Sequence, residues 1–181
     1  MNQNKQIGLL SLPVFVAALG YFVDVYDLLL FTIVRQTSVM SIGSTAETII
    51  VDSAHIINWQ MSGLLIGGIL WGVLGDKKGR LKVLFGSILL YSVANILTSF
   101  VQNVDQYAYC RFIGGIGLAG ELGAGITLVS EMLPKHKRGI GTSMVAGIGL
   151  FGAVFAYFTF KYTNDWRLCY QIGGVLGFFL L

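Results

Sequence analysis

Apolar residues run through this chain in long blocks, and polar residues gather in the short gaps between them. Blocks of about twenty apolar residues match the length of helix needed to cross a bilayer core, whereas barrel strands need about ten. The pattern predicts spans over about 7–34, 55–74, 81–100, 107–129 and 139–160. A sixth begins at Leu168 and supplies only fourteen residues to Leu181, against about twenty for a crossing, so the sequence is expected to end inside a helix, as a piece of a longer protein or a truncated reading frame. Pro13 falls in the first turns of span 1, and Pro134 is the expected stop after span 4. Between spans 1 and 2 the Ser/Thr-rich stretch 35–54 is predicted as the longest loop, part of which (47–51) extends a flanking helix.

The polar gaps carry the charge. Residues Gly75 to Lys82 place Lys77, Lys78, Arg80 and Lys82 against Asp76, which makes this hairpin turn the most basic stretch of the chain. With Lys5, and with Lys135, Lys137 and Arg138 against Glu131, the loops on that side total +6. The opposite side holds Arg35, Glu47 and Asp52, then Asp105, then Lys161, Asp165 and Arg167, a total of −1. Positive loops face the cytoplasm, so the N-terminus is expected inside, in a bacterial-type inner membrane.

Composition agrees with this pattern. The chain is 55% hydrophobic and 12% charged, where soluble domains carry about 25% charged residues. Mean hydropathy is +0.73. The expected class is an all-α polytopic membrane protein. Glycine stands at 24, which suits helices that approach closely in lipid; Gly63, Gly67 and Gly68 suggest such a face on span 2. The basic residues sit in interhelical turns, so they point to no nucleic-acid partner. Cys110 and Cys169 have no metal-ligand spacing and are expected to pack. No nucleophile elbow, zinc pattern or phosphate loop is present. The glycines at 114–120 do not follow a strand, as a nucleotide fingerprint requires. No enzyme, metal or cofactor is expected.

Four ionisable residues remain inside the spans: Asp24, Asp27, Arg111 and Glu121. Each needs a partner or a water-filled cavity, because a lone charge at bilayer depth costs several kcal/mol. Span 1 runs outward and span 4 inward, which puts Asp27 and Arg111 at compatible depths. The pair is either a static pin between the spans or a proton-coupling site. Asp24, one turn from Asp27, is a second candidate that could instead face substrate. Glu121 is a further proton-site candidate, or a protonated packing group. Tyr21, Tyr26, Trp59, Gln60 and Asn95 are weaker candidates for cavity lining.

These residues carry a family resemblance. The run Gly72-Val-Leu-Gly-Asp76-Lys-Lys-Gly79-Arg80 resembles the signature between helices 2 and 3 of the major facilitator superfamily. The run from Arg111 to Glu121 is similar to its arginine- and glycine-rich fourth helix. Glu131-Met-Leu-Pro-Lys-His-Lys-Arg138-Gly139 resembles the signature after helix 4 in the sugar-porter-like and metabolite:proton symporter branches, and Asp165-Trp166-Arg167 the start of helix 6. The resemblance implies the N-terminal six-helix half of a twelve-helix transporter that works by alternating access with a C-terminal half. Gly72, Asp76, Gly79 and Arg80 would form one cytoplasmic gate cluster and Glu131, Arg138 and Gly139 a second. Asp27 would be the proton site and Arg111 its partner. Residues 20–27 look most like bacterial organic-acid and metabolite symporters, and span 5 lacks the proline–glycine signature of drug antiporters. The implied partners are a small solute, protons and the lipid bilayer. Proton-independent facilitated diffusion, a non-transporting membrane fragment and a helical interaction subunit remain the alternatives.

Overall fold

The structure, a computed structural model, describes residues 12–181; the side chains of 12, 13, 80, 81 and 122–132 lie outside the described set. Every described element is helical. α1 is Leu12–Ser41, α2 Ile49–Lys78, α3 Arg80–Thr98, α4 Val104–Met132, α5 Arg138–Thr163 and α6 Trp166–Phe179, with a single 3-10 turn at Lys135–Lys137. The molecule is an all-α polytopic membrane protein. Among the described residues, Val14–Ser41, Ile49–Lys78 and Lys135–Thr163 are each long and apolar enough to cross a bilayer.

α4 packs against α2 and α3, α1 against α5, and α3 against α6, with α1 also touching α4 and α6. The α2–α4 contact shows why glycine is needed. A Cβ on Gly67 would sit 2.6 Å from the Ile116 carbonyl oxygen, one on Gly63 would run into that of Phe112, and one on Gly115 into that of Gln60. The helices therefore meet backbone to backbone, which in lipid replaces the missing hydrophobic drive with dispersion contact. The Trp71 indole N–H donates to Ile116 O at 2.6 Å across the same seam. Gly68 and Gly72 meet nothing within 4 Å, so Gly68 does not belong to the packing face predicted for it. On α5 and α1 the same device recurs, with Gly152 against the Phe22 carbonyl.

The longest predicted loop shrinks to residues 42–48. α1 continues to Ser41 because its polar residues bond their own helix: Ser38 Oγ donates to Arg35 O (3.2 Å) and Ser41 Oγ to Ser38 O (2.7 Å). Hydroxyls there read as loop chemistry yet are satisfied within a helix. The basic turn shrinks further. α2 runs through Lys78, and Gly79 alone joins it to α3, at φ +90°, a backbone region that a Cβ disfavours. Lys77 and Lys78 thus occupy the last turn of α2, where the helix dipole favours cations.

The α5–α6 turn clamps the other end of the bundle. Asn164 reverses the chain at φ 50°, and the Asp165 carboxylate caps α6 by accepting from Arg167 N–H at 2.8 Å. The Arg167 guanidinium donates to Ser99 O (2.6 Å) and Val101 O (2.9 Å), just past the end of α3. Trp166 Nε1–H donates to Ser41 Oγ at 2.9 Å, at the end of α1. One short turn therefore ties down two helix ends.

Large apolar residues remain exposed on α2 and α5, among them Leu65, Ile69, Leu150 and Phe151. In a membrane protein such surface meets lipid or another helical layer. Gly63→Val should lower stability by about 1–3 kcal/mol, because the backbone oxygen it strikes cannot step aside; Gly68→Val should leave the thermal midpoint in detergent unchanged. Equal effects from the two substitutions would contradict the α2–α4 seam.

Candidate functional site

Asp27 on α1 and Arg111 on α4 meet in the interior, each only 1% exposed. The Arg111 Nη1 donates to Asp27 Oδ1 (3.0 Å), to Oδ2 (3.1 Å) and, more weakly, to Asn95 Oδ1 on α3 (3.3 Å). Its Nη2 donates to the backbone oxygen of Asp27 at 3.3 Å. From α6 the Tyr170 ring lies against the guanidinium, 5.3 Å from carbon to centroid. Arg111 therefore binds groups from α1, α3 and α6 while itself standing on α4. Its Nε is the one nitrogen without a partner.

A hydroxyl network extends this centre. Tyr107 Oη donates to Tyr170 Oη at 2.9 Å and lies 3.4 Å from Ser38 Oγ, while Tyr26 Oη donates to Cys169 O at 2.8 Å. Trp166 stacks on Tyr107 with centroids 5.7 Å apart. Tyr107, Tyr170 and Ser38 were not singled out from sequence. A signal existed for two further groups: Ser87, Tyr91 and Asn95 recur at four-residue spacing on α3, a buried polar stripe of which only Asn95 was named.

Asp24 and Glu121 form a second centre. Both are buried, at 0% and 3% exposure. Neither Asp24 oxygen has a hydrogen-bond partner, nor does Glu121 Oε2. Glu121 Oε1 presses on Gly20, where a side chain would displace it. The two carboxyl groups line one narrow cavity with Tyr21, Leu84, Ile88 and Val145. Its volume of about 10 Å³ has room for one water.

The remaining candidates scatter. Tyr21 lines the Asp24 cavity, and Asn95 accepts from Arg111. Tyr26 instead tethers α1 to α6. Trp59 packs edge-on against Tyr109 and Phe112 at the α2–α4 seam, and Gln60 is buried there, its carbonyl against Gly115. At the charged end, Gly72, Asp76, Gly79, Arg138 and Gly139 are exposed. Arg138 Nε donates to Leu133 O at 3.1 Å. The side chains of Arg80 and Glu131 lie outside the described residues. Among the described residues no three His, Cys, Asp or Glu side chains gather as a metal site.

Removing one partner of a buried ion pair leaves an uncompensated charge, at about 3–5 kcal/mol. Arg111→Gln should therefore unfold far more readily than wild type in detergent. The double variant Asp27→Asn/Arg111→Gln should recover much of that loss, and strict additivity in the double-mutant cycle would contradict the pairing.

This arrangement has relatives. Over 160 residues the chain is 32% identical to a metabolite transport protein of Haemophilus influenzae, covering 87% of this chain and 38% of that one. Over 164 residues it is 31% identical to the niacin transporter NiaP of Acinetobacter baylyi, covering 88% and 36%. The chain thus spans little more than a third of the length of these relatives. Its fold superimposes on a partially occluded inward-open structure of the xylose transporter XylE from E. coli with a TM-score of 0.80 at 19% identity, covering 92% of this chain and 47% of that one. The family model of the Major Facilitator Superfamily matches residues 10–181. With nearly the whole chain inside that match and six helices packed as in one half of a twelve-helix relative, the chain belongs to the Major Facilitator Superfamily.

Proposed function

We propose that the protein moves a small solute, an organic acid or a similar metabolite, across the inner membrane by proton-coupled alternating access. In this reading the chain supplies the N-terminal helical half, with its N-terminus and the Gly79 turn in the cytoplasm, and works against a second six-helix half. The observation that carries it is the set of four ionisable side chains held inside the bundle of a Major Facilitator Superfamily chain. Charges at bilayer depth are expensive and are kept for ion or substrate paths. A carboxylate solute is the first to test, since one relative is named for niacin and another for metabolite transport. Arg111 is not a free anion receptor, because Asp27 already occupies it; solute selectivity then depends on groups beyond this ion pair.

In proteoliposomes, an inward proton gradient should drive accumulation of niacin or another small carboxylate above its equilibrium level, with alkalinisation outside read by an impermeant dye. Equal uptake after the gradient is collapsed would favour a proton-independent facilitator.

The gate clusters belong to the same reading. Gly79 joins α2 to α3 directly, so any force on Asp76 passes into both helices. Asp76→Asn should weaken closure of the cytoplasmic side. Maleimide labelling of Ile140→Cys, at the exposed start of α5, should then speed up several-fold; an unchanged rate would remove Asp76 from the gate.

A further inference from the structure

The two acids of α1 stand one turn apart in opposite conditions. Asp27 accepts two charge-assisted hydrogen bonds from Arg111, while the Asp24 carboxyl accepts none and faces a cavity shared with Glu121. We infer that the exchangeable proton of this bundle resides on the Asp24–Glu121 carboxyl pair, and that Asp27–Arg111 is the fixed pin beside it. The inference rests on the proton-coupled reading above and departs from the resemblance, which puts the proton on Asp27.

The decision turns on what each protonation leaves behind. A proton on Asp27 would strip Arg111 of the carboxylate it holds among the described residues and strand a buried cation whose Nε already lacks a partner. Breaking a buried pair in that way is strongly unfavourable. A proton on the Asp24–Glu121 pair breaks no hydrogen bond. It removes one of two like charges from an apolar site, and it supplies the donor that the unpartnered oxygens need. Either carboxyl can hold it.

The surroundings favour a proton over a metal cation. Tyr21 is the other polar group of the cavity wall, and α3, α5 and the residue capping α6 present Leu84, Ile88, Val145 and Leu180 to it. Six oxygen ligands for a hard divalent cation are not at hand. Among neighbouring titratable groups, Tyr91 of α3 is buried with an unpartnered hydroxyl, Asp27 lies one turn along α1, and Arg111 is engaged by Asp27. Among the described residues no cation is therefore left to hold both carboxyls ionised. The cavity's single-water volume gives the proton a carrier. The step is a plain transfer: a hydronium ion on one face gives its proton to a carboxylate oxygen, and the same O–H bond later breaks to water on the other face, with no change of oxidation state.

Infrared difference spectroscopy of the protein in liposomes, stepped from neutral to alkaline pH, tests this without a known solute. The carbonyl stretch of a protonated buried carboxyl should be present and should vanish on the alkaline step. Asp24→Asn and Glu121→Gln should each abolish or displace it, and Asp27→Asn/Arg111→Gln should retain it with helix content unchanged by circular dichroism. Should a variant fail to fold, carboxyl 13C labelling of aspartate or of glutamate in the unmutated protein must shift the band. Absence of any such band overturns the inference, as does its survival in both single variants or its loss in the folded double variant. Its loss on adding sodium chloride at constant pH would assign the site to a metal cation instead. The band does not depend on transport, so solute uptake that fails while the band behaves as expected counts against the transport reading alone.

Discussion

A guanidinium buried in a membrane bundle cannot shed its charge, so the bundle must be built around its partners. Arg111 imposes that condition here. It needs a carboxylate at its own depth, which fixes the register of α1 against α4 through Asp27. Its Nη1 also donates to Asn95 from α3, and its flat face meets Tyr170 from α6, while Nε stays unpartnered. Four helices are placed relative to one another by one side chain, and apolar packing alone would not select their rotation so sharply. In lipid, where chain and solvent are equally greasy, polar contacts of this kind carry orientation.

The ion pair can form only because the helices come close. Backbone-to-backbone seams at Gly63, Gly67 and Gly115 draw α2 onto α4, and Gly152 draws α5 onto α1. A larger residue at any of them would move an axis outward and lengthen the contacts at Arg111 or Asp24. Closeness has a second result: the cavity described inside the half-bundle is small. The Asp24–Glu121 cavity has room for one water, not for a metabolite. In the proposed transport reading, a solute path then lies outside this cavity, at a site shared between two halves.

Much of this was legible in the sequence where long-range physics had a short-range signature. The all-α membrane class follows from block length, and an Asp27–Arg111 meeting was readable from the compatible depths of the two residues together with the family resemblance. Helix ends were not legible, because Ser38 and Ser41 look like loop residues but donate to carbonyls of their own helix. Nor was it visible which of the span 2 glycines touch α4: Gly67 and Gly68 are neighbours in sequence and point to different faces. Trp59 looked like a cavity or interface residue, yet it serves an aromatic seam with Tyr109 and Phe112 that only the α2–α4 crossing creates. The Asp24–Glu121 meeting was equally hidden, since each acid by itself fits several roles.

Asp24 and Asp27 stand three residues apart on α1, about one helical turn. In the arrangement inferred above, a proton bound to Asp27 would release the buried cation, so the counter-ion and the group that gains and loses charge are different carboxylates. Placing two acids one turn apart on α1 separates the tasks. Asp27 points to Arg111 and holds the register; Asp24 points to Glu121 in a cavity with room for one water and, in that reading, changes charge while the register stands. The two remain close enough to couple through the field, since a charge on Asp24 is felt at Asp27 across one helical turn.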